Sequence, residues 1–389
     1  MCNTDPEEQV KEETINIMDQ EKVWPLDESD DHFLNTQLQS LQISSAGYHS
    51  LIKPSSPLES ISENKVVLDS KQNELLNFIP VVRSGECSDI GGRQHMEDTS
   101  VCIIDMAEKF GCCKSFDGEE SISFFGVFDG HGGKDAAIFV RDNLPRLIAM
   151  DADFPLELEK VVTRSFKETD VRLARTGTLQ SALSSGTTAL IAMIFGRSLL
   201  VANVGDCRAV LSRLGEAVEM SKDHRPGCVK EKRRIESLGG FIDDGYLNGH
   251  LGLTRALGDW HIEGLKIKET NKEEQIGPLS AEPELKLITL MKDDEFLVIA
   301  SDGFWDVFTS QNAIHFARRR LQDHNNVKLC CEEMVEEAIK RGAMDNLTVL
   351  MVCFHSEPPV DIIVPISRSE MRRSISAEGL QSLRGLLEN

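Results

Sequence analysis

The chain has 389 residues, of which 40% are hydrophobic and 27% charged, a composition typical of a globular protein with a sizeable core. Its formal net charge of -22 argues against nonspecific binding to nucleic acid or to anionic membranes, because both depend on Lys and Arg. No segment approaches the ~20 apolar residues of a membrane span and the N-terminus does not resemble a signal peptide, so we expect a cytoplasmic or nuclear protein.

Composition divides the chain into three regions. Residues 1–80 are acidic and rich in Ser, Gln and Asn, without a sustained hydrophobic period, and we expect a disordered N-terminal tail there. The pattern changes near residue 81, where a folded domain is expected to begin; it extends to residue 356, and a polar C-terminal tail follows over 357–389. The 10 cysteines show no CxxC ladder of a zinc site, so reduced thiols are expected.

A first cluster of polar residues follows the glycine pair Gly91-Gly92. Arg93 has the planar guanidinium that grips a phosphate, while Glu97 and Asp98 are able to bind a cation or to hold metal-bound water. Taken alone, the cluster is also compatible with a surface salt bridge beside a turn.

A short apolar run, Phe124 to Phe128, ends abruptly at an acid, a histidine and glycines. The run predicts a buried strand that leads into a rigid turn, because Gly allows close approaches that a Cβ would block. Asp129 and the carbonyl of Gly130 offer hard oxygen ligands for Mg2+, Mn2+ or Ca2+, and His131 can donate or accept a proton near neutral pH. When this stretch is considered alone, an ordinary Asp-Gly turn at the end of a strand is an alternative to a functional site.

The later segments alternate between helical and strand periodicity. In chain order they predict helices over 134–150 and 156–175, hairpin strands over 185–194 and 199–204, a strand over 208–211, a basic helix over 229–238, a strand over 295–300, helices over 312–322 and 327–342, and a strand over 347–352. The basic helix would either face an anionic substrate or present a solvated face.

Acids stand at the ends of several predicted strands, namely Asp98, Asp129, Asp206, Asp302 and Asp345. If the fold brings these ends together, the carboxylates would repel one another and raise one another's pKa values unless cations neutralise them. Oxygen ligands favour Mg2+ or Mn2+ over zinc, and the lack of an Asp-x-Asp-x-Asp-Gly sequence argues against an EF-hand.

Several motifs follow one another in a particular order between about residues 87 and 354. They cover residues 93–98, 129–133 (Asp-Gly-His-Gly-Gly), 185–189 (Ser-Gly-Thr-Thr-Ala), 205–209 (Gly-Asp-Cys-Arg-Ala), 254–259 (Thr-Arg-Ala-Leu-Gly-Asp), 301–306 (Ser-Asp-Gly-Phe-Trp-Asp) and 345–348 (Asp-Asn-Leu-Thr). Together they closely resemble the motifs of the metal-dependent protein phosphatases, the type 2C Ser/Thr phosphatases, in the style of plant members. The resemblance implies an α+β catalytic domain over 81–356: a four-layer α-β-β-α sandwich of two central antiparallel sheets flanked by helices.

The resemblance also implies a centre of two Mn2+ or Mg2+ ions and a weaker third. By this analogy Asp129 bridges two metals, the Gly130 carbonyl binds one of them, and Asp302 with Asp345 binds the other. Asp206 together with Asp302 would hold the third ion.

The implied reaction is hydrolysis of phosphoserine and phosphothreonine by a hydroxide that the two cations generate from a bridging water. Arg93 would neutralise the phosphoryl oxygens and His131 would protonate the departing oxygen, while Glu97 and Asp98 act through metal-bound water. The expected partners are phosphoprotein substrates and kinases, and the chain is expected to be a monomer.

Two alternatives stay open. One is a catalytically inactive binding module that keeps the phosphatase fold. The other is a Cys-dependent phosphatase, suggested by the Cys-x5-Arg spacing of Cys87 and Arg93; the same spacing recurs at Cys207 and Arg213, which shows how little it specifies.

Overall fold

The structure is a computed structural model that describes residues 78–111, 121–175, 184–266 and 277–361. Apart from residues 78–80, the tail expected over 1–80 lies outside the described residues, and so does 362–389 of the C-terminal tail. Within the described ranges, no helix combines the length and apolar character needed to cross a lipid bilayer.

Strands and helices share the described part of the chain. The strands are β1 (Arg83–Asp89), β2 (Thr99–Ile103), β3 (Ile122–Phe128), β4 (Gly130–His131), β5 (Gly186–Thr187), β6 (Ala189–Phe195), β7 (Ser198–Val204), β8 (Arg208–Arg213), β9 (Glu216–Glu219), β10 (Ile242–Asp243), β11 (Tyr246–Leu247), β12 (Leu257–Gly258), β13 (Glu284–Thr289), β14 (Asp294–Ala300) and β15 (Leu347–Cys353). The helices are α1 (Met106–Phe110), α2 (Asp135–Met150), α3 (Leu158–Arg175), α4 (Val229–Ser237), α5 (Asp302–Trp305), α6 (Ser310–His324) and α7 (Val327–Lys340).

Most strands belong to two five-stranded antiparallel sheets. The first sheet has the order β1-β15-β14-β8-β9 and the second has the order β13-β7-β6-β3-β2. The predicted hairpin is confirmed, since β6 and β7 pair antiparallel with Phe195 opposite Ser198. A small third sheet, β12-β5-β4, lies where the second sheet's strand β3 continues into the glycine-rich turn.

The two large sheets pack face to face and carry helices on their outer faces. Phe125 and Leu190 of the second sheet share one apolar cluster with Leu297 and Leu350 of the first. Neighbouring residues in the same strands point outward, so Phe124 packs against α2 and α3, and Val298 against α6 and α7. Both faces of each sheet are therefore covered, and each fully buried Leu or Phe contributes about 1.5–3 kcal/mol. This arrangement confirms the predicted four-layer sandwich.

Helix ends differ from the sequence prediction by a few residues, for local reasons. Helix α6 begins two residues early, because the side chain of Thr309 caps it by accepting the N–H of Asn312. It ends at His324, and the C-cap residue Asn325 takes a left-handed conformation with φ 50°. Helix α7 begins directly after its N-cap residue, Asn326, whose side chain accepts the N–H of Leu329.

Candidate metal centre

Three acids from separate strand ends meet at one end of the sandwich. Asp129 follows β3, Asp206 follows β7 across Gly205, and Asp302 is the first residue of the short helix α5 behind β14. One carboxylate oxygen from each of the three lies within 4.8 Å of the others. The prediction that the strand ends come together is thus correct for these residues.

Asp98 lies beside this group and is buried. Its Oδ2 accepts a hydrogen bond of 2.7 Å from the hydroxyl of Ser301, which in turn accepts the N–H of Thr348 at 3.0 Å. Its Oδ1 is buried and has no hydrogen-bond partner among the described residues. A buried acceptor without a partner is costly, so this oxygen needs a donor or a cation.

The carboxyl pKa values record the crowding of negative charge. Burial, followed by the charges of Asp98 and Asp302, raises the pKa of Asp129 well above its usual value. Burial and the charge of Asp206 raise the pKa of Asp302 to about 7. Positive charge that enters the site favours the ionised form of such groups, and four carboxylates suit Mg2+ or Mn2+ better than soft-ligand metals. The residues present therefore fit a divalent cation.

Asp345 lies at the rim, where it pairs with Arg93 across 2.5 Å. The neighbouring Asn346 ties the two segments together: its Oδ1 accepts the N–H of Glu97 at 2.8 Å, and its Nδ2 donates to the carbonyl of His95 at 3.0 Å. The guanidinium of Arg93 is 57% exposed, so it is accessible to a phosphate from solvent.

Glu97 and Gly130 approach each other through their backbones. A Cβ on residue 130 would overlap the carbonyl of Glu97, so the close approach requires glycine at this position. Gly130 pairs with Thr187 in the small third sheet. The chain thus holds the backbone of Gly130 directly beside Asp129 and against the Glu97 segment.

His131 is paired with an acid that the sequence reasoning left without a role. Its Nε2 lies 3.0 Å from Oδ1 and 2.9 Å from Oδ2 of Asp259. Burial lowers the pKa of His131, but the hydrogen bond and charge of Asp259 outweigh it and the net pKa is raised. The only sequence signal was the place of Asp259 at the end of the Thr254–Asp259 motif.

Arg225 is the second residue that the sequence reasoning missed. Its Nε lies 3.1 Å from Asp206 and its Nη2 lies 3.2 Å from Asp302. Nothing in the Asp-His-Arg-Pro sequence around Arg225 indicates that its side chain contacts Asp206, earlier in the chain, and Asp302, later in the chain.

One of the two arginines of the basic helix, Arg234, is turned inward. Arg234 of α4 donates to Glu231 at 2.9 Å, and Arg255 donates to the same buried carboxylate at 2.6 Å. Lys230 pairs with Glu284 at 3.4 Å. These contacts give part of the positive charge on this helix a structural explanation.

Cys87 does not lie in the geometry of a Cys-dependent phosphatase. It stands in β1 opposite Val349 and packs against the apolar cluster under α6 and α7. Burial, followed by the charge of Glu332, raises the pKa of its thiol, whereas a nucleophilic cysteine needs a lowered one. Arg93 meanwhile pairs with Asp345.

Solved structures define the class to which this fold belongs. A serine-threonine phosphatase 2C from Toxoplasma gondii matches with a TM-score of 0.58 at 21% identity, covering 72% of this chain and 98% of that one. A C. elegans sex determining protein matches with a TM-score of 0.60 at 24% identity, covering 71% of this chain and 65% of that one. At these identities the likeness concerns the fold, which is that of the 2C phosphatases.

The chain itself belongs to the protein phosphatase 2C family. The family model described as Protein phosphatase 2C matches residues 82–347. Probable protein phosphatase 2C 27 of Oryza sativa subsp. japonica is 65% identical over 331 residues, covering 85% of this chain and 92% of that protein. Probable protein phosphatase 2C 22 of Arabidopsis thaliana is 50% identical over 326 residues, covering 84% and 81%. The resemblance to plant members is thereby confirmed, and the family is one of hydrolases.

Proposed function

We propose that this chain is a protein serine/threonine phosphatase that hydrolyses phosphoserine and phosphothreonine at a centre of two Mn2+ or Mg2+ ions. One observation carries the proposal: Asp129, Asp206 and Asp302 hold carboxylate oxygens within 4.8 Å of one another. Like charges this close, with raised pKa values, are stable together when divalent cations neutralise them.

The proposed ligands divide the site into two sides. Asp129 would bridge the two cations, with the Gly130 carbonyl on one of them and Asp302 and Asp345 on the other. Asp206 with Asp302 would hold a third, weaker cation. Bound cations would lower the pKa of a water molecule enough to make it a nucleophile at neutral pH and would polarise the phosphoryl group.

Asp98 and Glu97 would position water around the cations. Support comes from the buried Oδ1 of Asp98, which has no hydrogen-bond partner among the described residues. Its other oxygen accepts a hydrogen bond from Ser301, and this bond restricts the rotation of the carboxylate and so the direction of the free oxygen.

Arg93 would bind the phosphoryl oxygens, because its guanidinium is exposed at the rim and would become free of Asp345 if that carboxylate held a cation. His131 would give a proton to the departing Ser or Thr oxygen. Asp259 holds Nε2 of His131 and favours the doubly protonated ring, so the proton for the leaving group would come from Nδ1.

A phosphothreonine peptide assayed with Mn2+, with Mg2+ and with EDTA tests the proposal on the full chain. Release of inorganic phosphate in both metals, its loss in EDTA and its persistence after thiol alkylation are expected. No turnover in any metal, with retained binding of phosphoproteins, would instead identify the inactive binding module. Phosphoproteins as substrates, kinases as partners, a monomeric state and a catalytic domain over 81–356 belong to the same proposal.

A further inference from the structure

Arg225 spans two of the proposed metal ligands. Its Nε lies 3.1 Å from Oδ2 of Asp206 and its Nη2 lies 3.2 Å from Oδ2 of Asp302. Both acids belong to the group whose oxygens lie within 4.8 Å. The guanidinium thus stands on the side of the centre where the proposed third cation would bind.

The charges of Asp223 and Asp306 also act on Arg225. Asp223 is engaged by Arg208 through two bonds, of 3.0 Å from Nε and 2.6 Å from Nη2. The second arginine of the site, Arg93, pairs with a different acid, Asp345. Among the described residues, no ion pair joins a cationic side chain to Asp129, whereas Asp206 and Asp302 share the guanidinium of Arg225.

The backbone that carries Arg225 is locked to the backbone that carries Asp206. The N–H of His224 donates to the carbonyl of Gly205 at 2.9 Å, and the N–H of Gly205 donates to Nδ1 of His224 at 3.2 Å. The carbonyl of His224 also accepts the N–H of Thr254 at 2.8 Å, and the carbonyl of Arg225 accepts the N–H of Cys228 at 2.9 Å. The main chain therefore stays in place when the side chain moves.

The side chain of Arg225, by contrast, is 45% exposed and ends at the solvent edge of the site. A guanidinium and a divalent cation repel each other strongly when they share carboxylates that are largely shielded from water. We propose that Arg225 is the resident counter-cation of the Asp206 and Asp302 side, and that a divalent cation occupies this side only by displacing the guanidinium. This inference rests on the proposed metal centre and explains why one of its sites would be weak.

Displacement has two measurable consequences. Every divalent cation that binds to Asp206 and Asp302 has to compete with the guanidinium of Arg225. The apparent affinity of these two acids for the cation is therefore reduced. Without metal, the same arginine offsets the repulsion between the two carboxylates. Removing the positive charge should therefore tighten metal binding and at the same time destabilise the metal-free protein.

Arg225→Gln and Arg225→Lys test this in the full chain, with Mn2+ as the probe. Binding is followed by the electron paramagnetic resonance signal of free Mn2+, and the unfolding midpoint is measured in EDTA. Arg164→Gln is the matched control, because Arg164 also bridges two aspartates, Asp151 and Asp153, through ion pairs outside the site.

For Arg225→Gln we expect the weakest Mn2+ site to bind at least about 10-fold more tightly, because a neighbouring positive charge has been removed, and the midpoint in EDTA to fall. Arg225→Lys should lie between wild type and Arg225→Gln, since an ammonium lacks the fork that spans both acids. The control should leave Mn2+ binding unchanged.

Unchanged or weaker Mn2+ binding in Arg225→Gln would overturn the inference, while metal-dependent hydrolysis by the wild type would still stand. Failure of the proposed function looks different, because the wild type itself would then bind no Mn2+. If Arg225→Gln does not fold, Arg225→Lys decides alone, and binding no tighter than wild type overturns the inference.

Discussion

Nε2 of His131 and Oδ2 of Asp259 are 2.9 Å apart, although 128 positions separate the residues in the chain. Asp259 takes a left-handed backbone conformation, with φ 59°. The turn that contains it is held by the buried carboxylate of Asp170, which accepts the N–H of Gly258 at 2.8 Å and pairs with Lys266 at 2.7 Å. A strained residue held this firmly is consistent with a positioning role for Asp259.

Asp259→Asn should lower kcat for a phosphothreonine peptide by about 10- to 100-fold with little change in KM, because the ring of His131 loses the charge that favours its protonated form. The loss should be smaller for para-nitrophenyl phosphate, whose leaving group needs no proton. Asp142→Asn serves as a control at an exposed ion pair with Arg141. Equal losses for both substrates would argue against the role.

Gly186→Ala should abolish most of the activity without unfolding the domain. A Cβ at this position would overlap Oδ2 of Asp259 and Nε2 of His131, so the pair would have to separate. Gly227→Ala is the matched control, since a Cβ there meets nothing within 4 Å. We expect the first variant to lose at least about 100-fold in kcat while its far-ultraviolet circular dichroism stays that of the wild type. Wild-type kcat in Gly186→Ala would contradict the expectation.

Asp129→Asn should separate metal binding from stability. Burial and neighbouring carboxylates raise the pKa of Asp129, which means that its negative charge is unfavourable in the metal-free site. The amide of Asn carries no charge, so the metal-free variant should gain about 2–4 °C in its unfolding midpoint. The increase in midpoint that Mn2+ gives the wild type should disappear, together with hydrolysis. Thermal unfolding in EDTA and in MnCl2 measures both effects, and retained hydrolysis in Mn2+ would exclude Asp129 as a ligand.

Glu231→Gln should destabilise the protein in a pH-dependent way. Burial alone would raise the pKa of Glu231, but hydrogen bonds and charges from Arg255 and Arg234 lower it to about 2. Because the folded-state pKa lies below the unfolded one, the ionised carboxylate stabilises the fold above pH ~4.5, and this contribution is lost as the pH falls toward ~2.

Urea unfolding of wild type and Glu231→Gln at several pH values measures this contribution. The difference in the free energy of unfolding should be about 3 kcal/mol at pH 7 and should shrink below pH ~4.5. Glu236→Gln is the control on the same helix, since Glu236 and its partner Lys232 are exposed and 4.0 Å apart. A difference that does not depend on pH would show that packing, and not charge, is responsible.

The sequence by itself determined the order of strands and acids. Continuous apolar runs such as 295–300 and 347–352 predict strands covered on both faces, because burial from two sides removes the usual alternation of polar residues. Asp-Gly pairs just behind such runs marked Asp129 and Asp302 as acids at strand ends. These signals are local, which explains why they could be recognised without coordinates.

Only the tertiary structure decided which side chains meet. His131 pairs with Gly186 on one side of β5, and Gly258 pairs with Gly186 on the other, so this register brings Asp259 to the imidazole. The same holds for Arg225, whose contact with Asp302 joins residues 77 positions apart in the chain. Contacts between residues far apart in the chain are set by strand register and sheet packing. Neither of these can be predicted from composition or from local periodicity.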